Sequence, residues 1–107
     1  MTILANGRIF DGESIHENAN LRIADGRIVE LATGTGDDGE QVYDLEGRLL
    51  VPGLIDLQVN GGGGVLFNDA PTIDTLRTMA AAHRRFGTTG FLPTLISTDD
   101  STRERAV

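Results

Sequence analysis

The sequence predicts an α/β fold in which a β-rich segment precedes a β-loop-α-β unit. Short aliphatic runs separated by glycine turns fill residues 2 to 51, and this pattern is typical of consecutive strands. After Pro52 and Gly53, apolar residues recur at helical spacing between two further strand-like runs. Two strands joined through a helix run parallel, and two parallel strands alone cannot cover both faces. The sequence therefore predicts the beginning of a larger α/β sheet or barrel.

Composition narrows the class of protein. The chain has 107 residues, and all nine of its basic residues are Arg. Its formal net charge is −7. This negative charge argues against a nucleic-acid partner, because binding to a phosphate backbone needs a basic face. The absence of Cys excludes disulfides and thiolate metal sites. The sequence has no leader with a basic start and an apolar core, and no run near the roughly 20 apolar residues that a membrane helix needs. A cytoplasmic protein without a membrane partner is expected.

The first half is predicted to consist of short strands joined by tight turns. Three turns share the pattern of a polar residue, Gly, Arg and an aliphatic residue, at Asn6–Ile9, Asp25–Ile28 and Glu46–Leu49. Glycine accepts positive φ, so each is predicted to be a hairpin turn. Gly34–Gly39 is predicted to be a polar loop. The predicted strands are Thr2–Ala5, Arg8–Phe10, Asn20–Ala24, Arg27–Leu31, Gln41–Asp44 and Arg48–Val51.

The second half follows a different order of elements. Its helix is predicted to begin with Pro71 in the first turn and to end just before Gly87. Pro93 removes a ladder donor from the second strand, so an irregular strand end is predicted there. The predicted elements are the strand Leu54–Asn60, the loop Gly61–Ala70, the helix Pro71–Phe86, the strand Thr89–Ser97 and a helix cap at Thr98–Ser101.

The stretch VPGLIDLQVNGGGG (Val51–Gly64) contains the candidate site. Strand alternation places Ile55, Leu57 and Val59 on one face, which can pack under the helix. The other face carries Asp56, Gln58 and Asn60 toward the carboxyl end of the strand, where α/β folds bind ligands. These three residues, with Gly61 and Gly62 at the rim, are predicted to line a pocket.

Two alternatives remain open for this stretch. Gln58 and Asn60 could do no more than hydrogen-bond neighbouring strand ends. The glycines could be only a flexible exit from the strand, because neither a P-loop nor GxGxxG surrounds them.

The remaining polar candidates favour structural roles. His16 is predicted to lie exposed on a hairpin, and His83 to have a packed or partly exposed structural role on the helix, since no metal-binding His motif is present. Asp99 and Asp100 follow the second strand, where capping of the next helix is favoured over catalysis.

Two separated motifs resemble the N-acetylglucosamine-6-phosphate deacetylases of the amidohydrolase superfamily. They are PGLIDLQVNGGGGVLFND at Pro52–Asp69 and GTTGFLPTLISTD at Gly87–Asp99. The resemblance implies that residues 1–52 are the N-terminal part of a small β-sandwich and that residues 53–107 begin a (β/α)8, TIM-like barrel. Because such a barrel alone takes about 250 residues, the chain is expected to be the N-terminal portion of a longer enzyme, with its barrel incomplete.

The resemblance also implies where the chemistry lies. Many amidohydrolases carry a metal-binding His-x-His at the end of the first barrel strand, and Gln58 and Asn60 occupy those positions here. A carboxamide is a poorer zinc ligand than imidazole, so this metal position is expected to be empty or weak. The resemblance implies that no metal ligand and no catalytic residue lies within this chain. The Gln-x-Asn form implies one divalent metal, with zinc expected, held by a Glu and two His from later strands, and an Asp there as general acid/base.

The implied reaction belongs to amino-sugar catabolism. It is metal-assisted hydrolysis of N-acetylglucosamine 6-phosphate to glucosamine 6-phosphate and acetate. The full-length enzyme is expected to be a homo-oligomer that binds this phosphorylated amino sugar, whereas the 107-residue chain alone is expected to bind no metal and to be inactive. The alternatives are another amidohydrolase, acting on a cyclic amide or an N-acyl amino acid, and a non-catalytic domain.

Overall fold

The computed structural model describes residues 1–33 and 41–107. They form a mixed α/β fold with two compact units, Met1–Pro52 and Gly53–Val107. The predicted loop Gly34–Gly39 lies outside the described residues. The strands are β1 (Thr2–Phe10), β2 (Ile15–Ala24), β3 (Arg27–Thr33), β4 (Gln41–Asp44), β5 (Leu49–Leu50), β6 (Leu54–Val59), β7 (Gly61–Gly62), β8 (Val65–Leu66) and β9 (Thr88–Pro93), and the helices are α1 (Ile73–Arg84) and α2 (Asp100–Arg105).

The first unit is a five-stranded mixed sheet. Its order is β3-β2-β1-β4, and β5 also pairs with β1. The β1–β2 and β2–β3 pairs are antiparallel, whereas β4 and β5 both run parallel to β1. Its buried cluster contains Ile9, Ala19 and Leu21, so apolar side chains from β1 and β2 supply this core. The assignment of these strands to a β-sandwich remains a prediction.

The three similar turns adopt different structures. Asp25 and Gly26 form the predicted hairpin turn between β2 and β3, and both have positive φ. Asn6-Gly7 lies inside β1, where the β1–β2 register shifts. Glu46-Gly47 joins β4 to β5, which both run parallel beside β1. The hairpin prediction is therefore wrong for the last two turns, because the same local chemistry also serves a bulge and a strand-to-strand step.

The irregularity in β1 and the Glu46-Gly47 turn lie side by side. The Gly47 amide donates to the Asn6 carbonyl at 2.8 Å, and the Arg8 amide donates to the Arg48 carbonyl at 3.0 Å. Beyond them, Arg8 pairs with Leu49 in regular parallel register. The hydrogen-bonded ladder along β1 therefore continues past the interruption.

The second unit contains the predicted β-loop-α-β arrangement. Strands β6 and β9 pair in parallel, and α1 lies between them in sequence, which confirms the predicted parallel pair. Val59, Phe67 and Met79 form its buried cluster, against which Phe91 and Leu95 pack. Continuation of this pair into a barrel remains a prediction.

Helix α1 is shorter than the apolar spacing predicts. Its N-cap is Thr72, whose hydroxyl accepts a hydrogen bond from the Thr75 amide at 3.2 Å, so Pro71 precedes the helix. Ile73 and Phe86 are exposed, whereas Met79 is completely buried. The apolar spacing therefore predicts the centre of the helix correctly, but the predicted helix is too long at both ends. Within residues 1–33 and 41–107, neither helix is long and apolar enough to cross a membrane.

The two consecutive aspartates at the start of α2 have the predicted structural roles. Asp99 is the N-cap, and its carboxylate accepts from the Thr102 amide at 2.8 Å and from the Ser101 hydroxyl at 2.7 Å. These hydrogen bonds hold the pKa of Asp99 below its ordinary value. Asp100 lies in the first turn and pairs with Arg103 at 2.9 Å.

We expect Asp99→Ala to loosen α2 more than Asp100→Ala does, because only Asp99 satisfies an otherwise unpaired helix amide. The lowered pKa of Asp99 means that its contribution is present above the ordinary Asp pKa and is lost as the pH falls through the lowered value. Amide exchange of Thr102 in both variants, compared at neutral and acidic pH, measures this. Equal protection of Thr102 in the two variants would contradict the capping role.

Candidate functional site at the carboxyl end of the parallel strands

The predicted site residues lie along β6 and at its exit. Asp56 and Gln58 belong to β6, Asn60 follows its last residue, and Gly61 and Gly62 form β7. Gln58 is exposed, whereas the other four are half-buried. The structure thus places these residues in one continuous stretch at the carboxyl end of the strand.

The β6–β9 pairing is irregular at two places. Asp56 pairs with Phe91 and Val59 with Pro93, so β6 uses one residue more than β9 between these pairs, as in a β-bulge. A second shift lies between Leu54 and Ile55. The Asp56 carboxylate accepts a hydrogen bond from the backbone N–H of Gln58 at 3.0 Å. This is a local turn contact.

These irregularities change which side chains reach the core. Ile55 is 69% exposed and Leu57 is 71% exposed, whereas Val59 is 7% exposed. The prediction that Ile55 and Leu57 pack under the helix is therefore wrong. A bulge interrupts the alternation on which that prediction depends, so neither face of β6 follows from counting every second residue.

The carboxyl ends of β6 and β9 pack against the core cluster that contains Met79 of α1. Val59 belongs to the cluster with Met79 of α1, and both Phe91 and Leu95 pack against that cluster. The Thr94 amide donates to the Val59 carbonyl at 2.8 Å. Asn60 directly follows Val59 and Thr94 directly precedes Leu95, so both polar residues adjoin side chains of this cluster.

Several polar groups at this end have no protein partner within the described part of the chain. The structure records no hydrogen bond of the Gln58 or Asn60 carboxamide there. The Thr94 hydroxyl is buried and likewise has no hydrogen-bond partner. Both carboxamides can donate to and accept from a polar ligand.

The glycine-rich segment is a small antiparallel hairpin. Gly61 pairs with Leu66 and Gly62 with Val65, and the two turn residues, Gly63 and Gly64, both have positive φ, as tight hairpin turns require. We call Gly61–Leu66 the glycine hairpin. The prediction of a long loop at Gly61–Ala70 is wrong for these six residues, and the alternative of a flexible exit is not supported.

The glycine hairpin packs directly on α1. A Cβ at Gly62 would lie 2.6 Å from His83 Nε2, and a Cβ at Gly63 would lie 3.1 Å from the Thr78 methyl carbon. A Cβ at Gly61 would lie 2.7 Å from the Val65 carbonyl oxygen, within the hairpin. A Cβ would therefore meet backbone at Gly61, displace the His83 ring at Gly62 and crowd Thr78 at Gly63.

The two histidines occupy different settings. His83 Nε2 lies 2.9 Å from the Gly61 carbonyl oxygen, and its ring centroid lies 6.4 Å from that of Phe91, which confirms the predicted structural role. His16 is partly exposed on β2, and its Nε2 lies 2.7 Å from the Asp11 carboxylate. That contact and the amides of Ser14 and Glu13 hold the pKa of Asp11 well below its ordinary range.

Sequence reasoning missed Asn68. Its carboxamide donates to the Ile96 carbonyl at 2.9 Å and accepts from the Ile96 amide at 2.8 Å, so it joins the segment after β8 to the segment after β9. Asn68-Asp69 before Pro71 has the local composition of a turn. Nothing nearby in the sequence indicates a partner 28 positions away.

Two further features concern ligands. An open groove of about 360 Å³ is lined by Leu95, Ile96, Ser97, Thr98 and Arg103, and the predicted pocket residues are not part of it. In the described ranges 1–33 and 41–107, no three His, Asp or Glu side chains come together as a possible metal site.

Comparisons with known proteins give a consistent result. No protein-family model matches the chain. It is 42% identical over 104 residues to N-acetylgalactosamine-6-phosphate deacetylase of Shewanella sp. (strain ANA-3), with 92% of this chain and 26% of that protein covered. It is 40% identical over 87 residues to N-acetylglucosamine-6-phosphate deacetylase of Haemophilus influenzae, with 79% and 23% covered. Dihydroorotases match at lower identity.

A solved structure supports the same relationship. The crystal structure of N-acetylglucosamine-6-phosphate deacetylase from Pasteurella multocida superposes with a TM-score of 0.93 at 31% identity, and the match covers 98% of this chain and 28% of that one. The chain thus spans about a quarter of the length of the curated relatives it matches. In sequence and in fold, the chain is similar to about a quarter of the length of deacetylases named for N-acetylated amino-sugar 6-phosphates.

Proposed function

We propose that this chain forms the N-terminal part of an enzyme that hydrolyses N-acetylglucosamine 6-phosphate to glucosamine 6-phosphate and acetate. The observation that carries the proposal is the superposition of almost the whole chain on a deacetylase of this name. In the reaction, water adds to the amide carbonyl, the C–N bond breaks, and the nitrogen leaves as an amine after taking up a proton.

The proposed contribution of this chain is to shape the pocket. Gln58 and Asn60 offer uncharged donors and acceptors that suit sugar hydroxyls and an acetamido group. Gly61 and Gly62 supply backbone at the rim. The Asp56 carboxylate accepts a hydrogen bond from the backbone N–H of Gln58, and Asp56 thereby supports the bulged end of β6. No catalytic residue is assigned within the chain.

The described residues do not fit a metal site. Gln58 and Asn60 carry carboxamides where His-x-His would supply imidazoles, and carboxamide oxygens are poor ligands for zinc. For the full-length enzyme we propose a divalent metal, with zinc expected, held by residues outside this chain. Such a metal would polarise the amide carbonyl and lower the pKa of water. A cytoplasmic location and a homo-oligomer are likewise proposed for the full-length protein.

A second candidate substrate is N-acetylgalactosamine 6-phosphate. The observation that favours it is the 42% identity to a deacetylase named for that sugar. The two sugars differ only in configuration at C4, so the choice between them depends on contacts to one hydroxyl.

Kinetics of the full-length protein test the proposed function. Acetate release is measured with both sugar phosphates, with and without added divalent metal, and we expect the higher kcat/KM for the glucosamine substrate. A higher kcat/KM for the galactosamine substrate would favour the second candidate. Hydrolysis of only a cyclic amide or an N-acyl amino acid would favour another amidohydrolase activity, and no hydrolysis of any of these would favour a non-catalytic role.

The double variant Gln58→His with Asn60→His should increase the metal content of the full-length protein from one toward two ions per subunit. Two imidazoles would replace two carboxamides, which are poor zinc ligands, at positions separated by one residue. Elemental analysis of the dialysed protein measures this. The matched control is Ile55→His with Leu57→His, which has the same spacing on the same strand. An unchanged metal content, or an equal rise in the control, would refute the role assigned to positions 58 and 60.

A further inference from the structure

The glycine hairpin begins and ends at the candidate pocket. It follows Asn60 directly, and the Phe67 amide on its far side donates to the Asn60 carbonyl at 2.8 Å. Both ends of the hairpin therefore meet at Asn60, next to the buried side chains of Val59 and Phe67. The angle at which the hairpin leaves this point decides where the backbone of Gly61 and Gly62 lies.

His83 makes a side-chain contact with the first residues of the hairpin. Its Nε2 lies 2.9 Å from the Gly61 carbonyl oxygen, and because a carbonyl oxygen only accepts, the proton lies on Nε2. The ring also lies against Gly62, where the space left by the missing Cβ is filled by Nε2. Phe91 of β9 contacts the same ring. One imidazole thus joins α1, the glycine hairpin and β9.

We propose that His83 is a positioning residue for the pocket, holding the glycine hairpin so that Gly61, Gly62 and the adjoining Asn60 present a fixed surface to the substrate. The inference rests on the proposed function for the identity of that substrate. His83 acts through the Gly61 carbonyl, so its loss changes the binding of substrate more than the chemical step.

Two substitutions separate the hydrogen bond from the packing. His83→Phe keeps an aromatic ring beside Phe91 and removes the donor to the Gly61 carbonyl. His83→Gln keeps an N–H donor of similar reach and removes the ring. Arg84→Gln is the matched control, since Arg84 is the next residue of α1 and its side chain is exposed.

The experiment measures kcat and KM of the full-length protein for N-acetylglucosamine 6-phosphate, and amide hydrogen exchange of Gly62 to Leu66 without substrate. We expect His83→Phe to raise KM about 3- to 10-fold, as the loss of one hydrogen bond predicts, with kcat little changed and faster exchange in the hairpin. His83→Gln should recover most of the KM and of the protection, and Arg84→Gln should leave both unchanged.

A lowered melting temperature in both His83 variants with unchanged KM and unchanged exchange would overturn the proposal, because it would mean that His83 only fills space. If the wild-type protein does not hydrolyse the glucosamine substrate, the proposed function fails separately. The KM comparison then uses whichever amide the protein hydrolyses. The exchange comparison needs no substrate, and unchanged exchange in His83→Phe would by itself refute the hairpin contact.

Discussion

Gly61→Ala is expected to destabilise the protein by about 1–3 kcal/mol, the usual cost of forcing extra volume into a packed site. The new Cβ would lie 2.7 Å from the Val65 carbonyl oxygen. That oxygen is a backbone atom of the paired strand, so relief requires the glycine hairpin to open. Urea or thermal unfolding of the variant measures the loss.

Gly90→Ala is the matched control for this substitution. Gly90 lies within β9, and a Cβ there would meet no atom within 4 Å. Its effect is expected to be neutral or slightly stabilising, by about 0.5 kcal/mol, because alanine restricts the unfolded chain more than glycine does. Equal losses at both positions would mean that the glycines matter only for backbone freedom and not for close packing.

Met79→Ala is expected to cost about 2–5 kcal/mol, the range for removing a large buried side chain and leaving a cavity. Met79 is 0% exposed and forms the second unit's core with Val59 and Phe67. Because this cluster is small, we expect the variant to lose the cooperative unfolding of the unit. Denaturant titration followed by far-UV circular dichroism measures this.

Two control variants accompany Met79→Ala. Met79→Leu conserves volume and should cost less than about 1.5 kcal/mol. Ile73→Ala removes an exposed apolar residue from the same helix and should stay within about 0.5 kcal/mol of wild type. A loss at Ile73 as large as that at Met79 would show that the helix buries a different face from the one described.

Local patterns predict the order of the elements well. Strand β4 has the predicted bounds, and Asp99 caps α2 in the predicted turn, because each depends on residues close together in the sequence. The turns at Asn6 and Glu46 show the limit of this reasoning. A polar residue followed by glycine permits positive φ, but only the neighbouring strands decide whether that backbone forms a hairpin, a bulge or a step between parallel strands.

The candidate site was less predictable than the fold. The run of polar residues in β6 could be read from the sequence, but the bulge between Asp56 and Val59 depends on pairing with β9. The glycine hairpin depends on α1, and the contact of His83 with Gly61 spans 22 positions. The Asn68 contact with Ile96 spans 28. Such side-chain-to-backbone contacts leave no periodic signal in the chain.

The adjoining irregularities of the first unit restrict how this protein can change in length. The Gly47 amide donates to the Asn6 carbonyl, and Arg8 then pairs with Leu49 in parallel register. The bulge in β1 and the turn between β4 and β5 therefore span the same distance on two neighbouring strands. Deleting one residue from either would shift β5 by one position and reverse the side-chain faces of Leu49 and Leu50. Insertions and deletions at these two places should therefore be inherited as pairs.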